Sequence, residues 1–145
     1  MDITKYVLMV VLDPSLQFVV GITKKKGPAY LIGKLTFPGG KLEDGELPLT
    51  AAAREMQEET GLVIPAQDWV KIQHLSTETK QMTTFAAVCD RFFCAHTREE
   101  EPVWHLAVPR HQEYATRQPA QYAPDFLNRL ELALHAFKPP LLKAA

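Results

Sequence analysis

Residues 40–62 read GKLEDGELPLTAAAREMQEETGL, and this stretch decides the fold. Glu55, Glu58 and Glu59 stand at i, i+3 and i+4, so a helix here places all three carboxylates on one face. Three like charges within one turn repel, and either their pKa values rise or a divalent cation neutralises them. Carboxylate oxygens are hard ligands, which points to Mg²⁺, with Mn²⁺ as the alternative. The helix is legible from local chemistry: Pro48 suits a first turn, Ala51, Ala52 and Ala53 are strong helix formers, and Gly61 fits the position just past the end. The spacing predicts a helix over residues 48–60, with Leu49, Ala52, Ala53 and Met56 as an apolar stripe opposite the glutamates. Leu47 offers no side-chain acceptor at the N-cap, and Glu46 in the loop before it compensates electrostatically.

Working outward, Gly40, Glu46, Arg54-Glu55, apolar Met56, Glu58-Glu59, Gly61 and apolar Leu62 carry a spacing that resembles the complete box of the Nudix hydrolases. Seven fixed identities at about 6% each, plus two apolar positions, arise by chance on the order of once in ten million chains of this length. The upstream run KLTFPGGKLE, residues 34–43, is similar to the strand and glycine turn that enter the box in the MutT-like branch. The resemblance is strong over residues 22–62 and elsewhere rests on the order of elements.

The resemblance implies an α/β/α sandwich with a mixed sheet between helices. It implies that the Gly40 carbonyl and the Glu55, Glu58 and Glu59 carboxylates coordinate Mg²⁺, and that Arg54 orients the acidic group by pairing with Glu46 or its neighbours. The family reaction is attack of water on a phosphorus of a nucleoside diphosphate linked to another moiety. Glu55 is the general base in MutT-like members, whereas other branches take the base from a later loop. For this chain the expectation is Mg²⁺-dependent hydrolysis of a nucleoside triphosphate, dNTP or NTP, oxidised bases included, to monophosphate and pyrophosphate. The alternatives are a hydrolase of nucleotide sugars or dinucleoside polyphosphates, and a nucleotide-binding module that does not cleave. A pure binder has no need of a repulsive Glu55, Glu58 and Glu59 cluster.

Other segments read less sharply. Lys24-Lys25-Lys26 suit a solvated hairpin turn. The MutT-like branch carries an arginine pair at the same distance before the glycine turn, and by that similarity Lys24 contacts phosphate or sugar. MutT-like members also place a glutamate near a downstream tryptophan; here Val103 precedes Trp104, a departure, and Glu101 of the run Glu99-Glu100-Glu101 is the candidate further metal ligand. Tyr30, Phe37, Trp104 and Tyr122 are candidates for stacking on a base, with Asp125 or Asn128 for hydrogen bonding to its edge.

At 145 residues, the chain suits one domain over 1–140, with a frayed tail at 141–145. A net charge of −1 argues against a grip on nucleic-acid polymer, leaving a small nucleotide as partner and a homodimer open. The apolar run Tyr6 to Leu12 is too short to cross a membrane and reads as a buried strand. Cys89 and Cys94, at odd separation in one expected strand, point to opposite faces and stay reduced, as in the cytoplasm. None of the five histidines has metal-binding spacing. Strands are expected near 4–12, 17–23, 35–37, 69–76, 82–95 and 103–108, with a second helix from 124 to 137. Gly39-Gly40 is expected as a turn.

Overall fold

The computed structural model describes residues 2–138. Seven strands form one mixed sheet: β1 (Thr4–Leu12), β2 (Phe18–Thr23), β3 (Leu35–Thr36), β4 (Gly39–Lys41), β5 (Val70–Ser76), β6 (Lys80–Val88) and β7 (Val103–Ala107). The order is β3-β2-β1-β6-β5, with β4 also pairing β1 and β7 pairing β2. Only β1 and β6 run parallel; the other pairs are antiparallel. Three helices cover the sheet: α1 (Pro48–Thr60), α2 (Val108–Arg117) and α3 (Phe126–Phe137).

Alternation along β1 explains the layering, because successive side chains of a strand face opposite sides. Val7, Met9 and Val11 point into one core with Ala51, Ala52 and Met56 of α1. Val10 and Leu12 point into the other, with Phe126, Leu130 and Ala133 of α3. The expected α/β/α sandwich is therefore the observed architecture, and the near-continuous apolar run of β1 is that of a central strand covered on both faces.

The expected α1 matches the observed helix, and its ends are built as the sequence indicates. Leu47 makes no side-chain cap, while Gly61 closes the helix at φ 81°, where an L side chain is strained. Its buried face is rotated from expectation: Ala51, Ala52, Met56, Glu59 and Thr60 are buried, while Leu49 and Ala53 are only partly so. Glu59 thus lies at the margin of the core rather than opposite it.

Three further expectations are corrected. The strand expected to reach residue 95 ends at Val88, because Cys89 closes the register onto Leu12 and Phe92 turns inward as a fully buried anchor of a short 3₁₀ turn, Phe92–Cys94. Cys89 and Cys94 therefore do not share a strand, and both are free thiols. Gly39-Gly40 is no turn but the start of β4, paired with Leu8 and Val7; a Cβ on Gly39 would run into the Val7 carbonyl and the Leu8 side chain, so the glycine permits the close approach. Helix α2 was not expected, since it is mostly polar and buries only Val108 and Ala115, which leaves no apolar stripe to read. The proposed frayed tail at 141–145 lies outside the described residues. Among the described residues, no helix is long and apolar enough to cross a membrane.

The β1–β2 hairpin is tied by Asp13, whose carboxylate accepts the backbone N–H groups of Ser15, Gln17 and Phe18 and the Ser15 hydroxyl. Burial alone would raise its pKa, but these hydrogen bonds outweigh it and hold the carboxyl below its ordinary 3.8. Its stabilisation is accordingly complete above that ordinary value and is lost as pH falls through the lower folded-state value. Asp13→Asn is expected to cost about 1–3 kcal/mol at neutral pH. Urea unfolding of the two proteins from neutral pH into acid checks this: the curves converge in acid, and a constant gap would refute the assignment.

Candidate active site

Helix α1 positions the acidic cluster, and Arg54 organises it. Its guanidinium reaches the Glu46 carboxylate through Nε and Nη2, both at 2.8 Å, and Glu55 and Glu58 through Nη1 at 3.0 and 3.2 Å. Glu43 lies 3.2 Å from Nε and the Lys41 carbonyl accepts from Nη2 at 3.3 Å. The hydrogen bonds from Arg54, followed by the one from the Glu43 N–H, pull the Glu46 pKa down to about 2. Glu46 therefore serves as the anchor of Arg54 rather than as a helix cap.

The next turn carries Glu59, which is 6% exposed and accepts the Gly39 N–H at 3.1 Å. Burial first, and then the charges of Glu55, Glu101 and Glu99, push its carboxyl up to about 9. Burial likewise raises Glu55, against the opposing pull of Arg54. Gly40 packs directly on the Glu55 carboxylate, which a Cβ at that position would displace. Gly39 and Gly40 thus join the carboxylates of α1 to the sheet.

Among the described residues, no three acidic, histidine or cysteine side chains converge as a ready-made cage. Arg54 Nη1 instead bridges Glu55 and Glu58. The donor chemistry nevertheless fits a hard divalent cation. The Glu55 carboxylate lies against Gly40, Glu59 accepts from Gly39 and Glu58 is held on Arg54; burial first, and then neighbouring carboxylates, raise Glu59, and a cation would relieve the second of these.

Glu101 is 9% exposed and does something sequence reasoning missed. It accepts the N–H groups of Lys25 and Lys26 at 2.8 and 3.3 Å and pairs with Lys24 Nζ at 3.2 Å. It anchors the 24–34 loop, whose base is closed by bonds between Lys24 and both Gly33 and Lys34. Its charge still reaches Glu59.

Beside Gly39 and Gly40 opens a cleft of about 540 Å³ on the α3 face of the sheet. Lys24 and Tyr30 line it, as do Lys41, Lys80 and Arg129; among the described residues, all its charged lining groups are cationic. Its floor is apolar, with Leu8, Leu75 and Met82. The other expected substrate contacts are redistributed. Phe37 touches the cleft, but it is 1% exposed and stacked on Phe126 at 4.4 Å and 6°, so it packs the core. Tyr122 is buried with its hydroxyl bonded to His111, and Trp104 donates to Thr23 away from the cleft. Neither is a stacking platform at this site; Tyr30 is the exposed ring that lines it.

Asp125 and Asn128 are exposed and do not line the cleft. Asp125 accepts from Gln73 Nε2 at 3.0 Å and from Asn128 at 3.5 Å. The residue that α3 does deliver is Arg129, which was overlooked although it interrupts the buried stripe Phe126, Leu130, Ala133 and Leu134. A cation at a core position of an apolar helix was the available signal.

Removing Arg54 leaves several carboxylates facing one another without a partner. In EDTA, Arg54→Ala is expected to lose roughly 3 kcal/mol of stability, and Arg54→Lys to recover only part of it, since one ammonium cannot span the positions the guanidinium forks across. Urea unfolding measures both; an Arg54→Ala protein as stable as the parent contradicts the clamp.

Comparison with known proteins agrees with this architecture. The model of the NUDIX domain family matches residues 3–136. The 8-oxo-dGTP diphosphatase of Escherichia coli K12 is 51% identical over 41 residues, a match covering 28% of this chain and 32% of that relative's length. Among solved structures, a MutT/nudix family protein from Enterococcus faecalis aligns at TM-score 0.63 and 20% identity, over 74% of this chain and 44% of the other. MutT, in a study of the Aliivibrio salmonicida and Vibrio cholerae proteins, aligns at 0.65 and 17% identity, over 88% and 95%. The NUDIX domain of Shewanella oneidensis NrtR, complexed with ADP ribose, aligns at 0.66 and 15% identity, over 95% and 90%. With a family model spanning nearly the whole chain and the box residues gathered on α1 and β4, the chain belongs to the Nudix family.

Proposed function

We propose that this chain hydrolyses nucleoside triphosphates in a reaction that depends on Mg²⁺, with Mn²⁺ as an alternative, releasing the monophosphate and pyrophosphate. The observation that carries the reading is the junction at Gly39-Gly40, where a carboxylate cluster on α1 meets a cleft whose charged lining is wholly cationic. Such a pairing suits a polyphosphate, with its charge shared between divalent ions on one side and lysines on the other. The partial match to the 8-oxo-dGTP diphosphatase supports a triphosphate, oxidised bases included.

Gly40, Glu55, Glu58 and Glu59 would hold the cation, with Glu101 as a further charge nearby. When bound, the metal acts as a Lewis acid on phosphate oxygens and acidifies water. Glu55 takes a proton from the attacking water as the water oxygen bonds to phosphorus; the P–O bond bridging the α- and β-phosphorus breaks, parting monophosphate from pyrophosphate. Burial, which raises the Glu55 carboxyl, favours that role, and Arg54 holds the group in place. Lys24, held by Glu101, would meet phosphate as a point charge, and Tyr30 offers a face to the nucleoside. The free thiols suit a reducing, cytoplasmic setting.

A second reading has its own support: the NrtR domain of similar fold is complexed with ADP ribose, so a diphosphate linked to a sugar, cleaved or only bound, competes as the ligand. A panel of nucleoside triphosphates, nucleotide sugars and dinucleoside polyphosphates with Mg²⁺, products separated by charge, decides between them. Triphosphates are expected to give monophosphate and pyrophosphate, EDTA to stop the reaction and Mg²⁺ to restore it. Glu55→Gln is expected to lower kcat about 10²- to 10⁴-fold, and Glu58→Gln or Glu59→Gln to lose activity by orders of magnitude with the fold retained. Turnover indifferent to EDTA, or unaffected in the Glu58 and Glu59 variants, would overturn the proposal.

A further inference from the structure

One wall of the cleft is a loop with no core of its own. Residues 25–33, which contribute Gly27, Pro28, Tyr30 and Leu31 to the lining, include no buried side chain. The base of the loop is closed by the Lys24 N–H on the Lys34 carbonyl at 3.0 Å and the Gly33 N–H on the Lys24 carbonyl at 2.8 Å. Such bonds close the loop without aiming it, because they are internal to the segment and move with it. Apolar burial therefore does not decide where this wall stands.

The loop is fixed from outside by residues 101–104. The Pro102 carbonyl accepts the Thr23 N–H at 3.1 Å, and the Trp104 indole donates to the Thr23 hydroxyl at 2.8 Å. These two contacts stop at residue 23, before the loop begins. The Glu101 carboxylate reaches past it. Its Oε2 accepts the N–H groups of Lys25 and Lys26 at 2.8 and 3.3 Å and stands 3.2 Å from Lys24 Nζ, while Oε1 lies 3.5 Å from the same ammonium. Among the described residues, every other hydrogen bond made by residues 25–33 stays within residues 24–34. Both oxygens of a carboxylate only 9% exposed are thus committed to the loop. Glu55 and Glu58, by contrast, share one nitrogen of Arg54. Joining a cation would cost Glu101 its main-chain donors, whereas it costs Glu58 one shared donor.

We propose that Glu101 is a positioning residue for the substrate, in place of the further metal ligand that the resemblance implies: its carboxylate seats the loop so that Lys24 meets phosphate and Tyr30 faces the nucleoside. It acts through the loop and touches neither the cation nor the reacting phosphorus. A wall held in place before the nucleotide arrives spares binding the cost of ordering it. The proposal rests on the reading of the cleft as a nucleotide site and deepens it by naming the residue that shapes its wall.

Loop seating is read in EDTA, with no nucleotide present, as the rate of tryptic cleavage after Lys25 and Lys26 in the folded protein, thermal melting serving as the check on folding. Glu101→Ala is expected to speed this cleavage about 10- to 100-fold through the loss of charge-assisted hydrogen bonds. Glu101→Gln is expected to speed it less, since its amide oxygen still accepts one N–H. Kinetics with GTP and ATP are expected to show KM raised about tenfold or more in Glu101→Ala, kcat within about threefold of the parent's, and the Mg²⁺ concentration for half activation unchanged. If the alanine variant melts before it can be assayed, the glutamine variant carries the same comparison. A fall in kcat joined to a higher Mg²⁺ requirement makes Glu101 a metal ligand and overturns the proposal, as does cleavage at the parent's rate in both variants. A parent that hydrolyses neither nucleotide, yet binds GDP and ADP in EDTA more tightly than variants whose loop is cut faster, sustains the positioning role and defeats the hydrolytic reading. Brisk hydrolysis with cleavage and KM untouched in the variants does the reverse.

Discussion

Everything at the acidic end of this molecule depends on one guanidinium holding carboxylates that would otherwise repel. Arg54 meets Glu43, Glu46, Glu55 and Glu58 within 3.2 Å. The clamp has two unequal halves. Glu46 grips through two hydrogen bonds at 2.8 Å and is pinned in its ionised form. Glu55 and Glu58 share a single Nη1 at longer range, so they are the partners more readily surrendered to a cation. Glu59 is outside the clamp and carries the cost of burial with one backbone donor, the Gly39 N–H.

The glycines at 39 and 40 then link two regions of opposite sign. On one side stand the α1 carboxylates; on the other is a cleft bordered by Lys24, Lys41, Lys80 and Arg129. A chain with a net charge of only −1 therefore separates its charges locally, and such separation attracts polyanions to one place without making the whole surface sticky. Glu101 tempers this arrangement, since it neutralises Lys24 and fastens the loop bearing Tyr30 at the cleft rim.

How far the sequence could be read follows from how local each cause is. Helix α1 was legible to the residue because its limits, Pro48 and Gly61, act within one turn, and its side-chain spacing identifies the acidic face. The central strand β1 was legible as an unbroken apolar run. What escaped depends on distant partners. Gly39-Gly40 reads as a turn until β1 is placed beside it; Phe37 and Tyr122 read as free rings until Phe126 and His111 claim them. Glu101 was singled out as a further metal ligand, but its attachment to Lys25 and Lys26 spans 76 and 75 positions and leaves no local trace. Arg129, by contrast, has a local trace, a cation within the buried stripe of the last helix.

Strand β1 changes partner along a single edge. Tyr6, Val7 and Leu8 pair with β4, whereas Leu12 pairs with Val19 of β2. Two strands leaving one edge by different routes must part, as at the reversals of open α/β sheets where crevices form. Here the fork is bridged by Met9, whose N–H reaches the Pro38 carbonyl just before the glycines. The mouth of the crevice is thus a by-product of how the sheet is knitted. Because it is framed by main chain, its width is held by the backbone ladder, so side chains can vary along the walls without moving the opening.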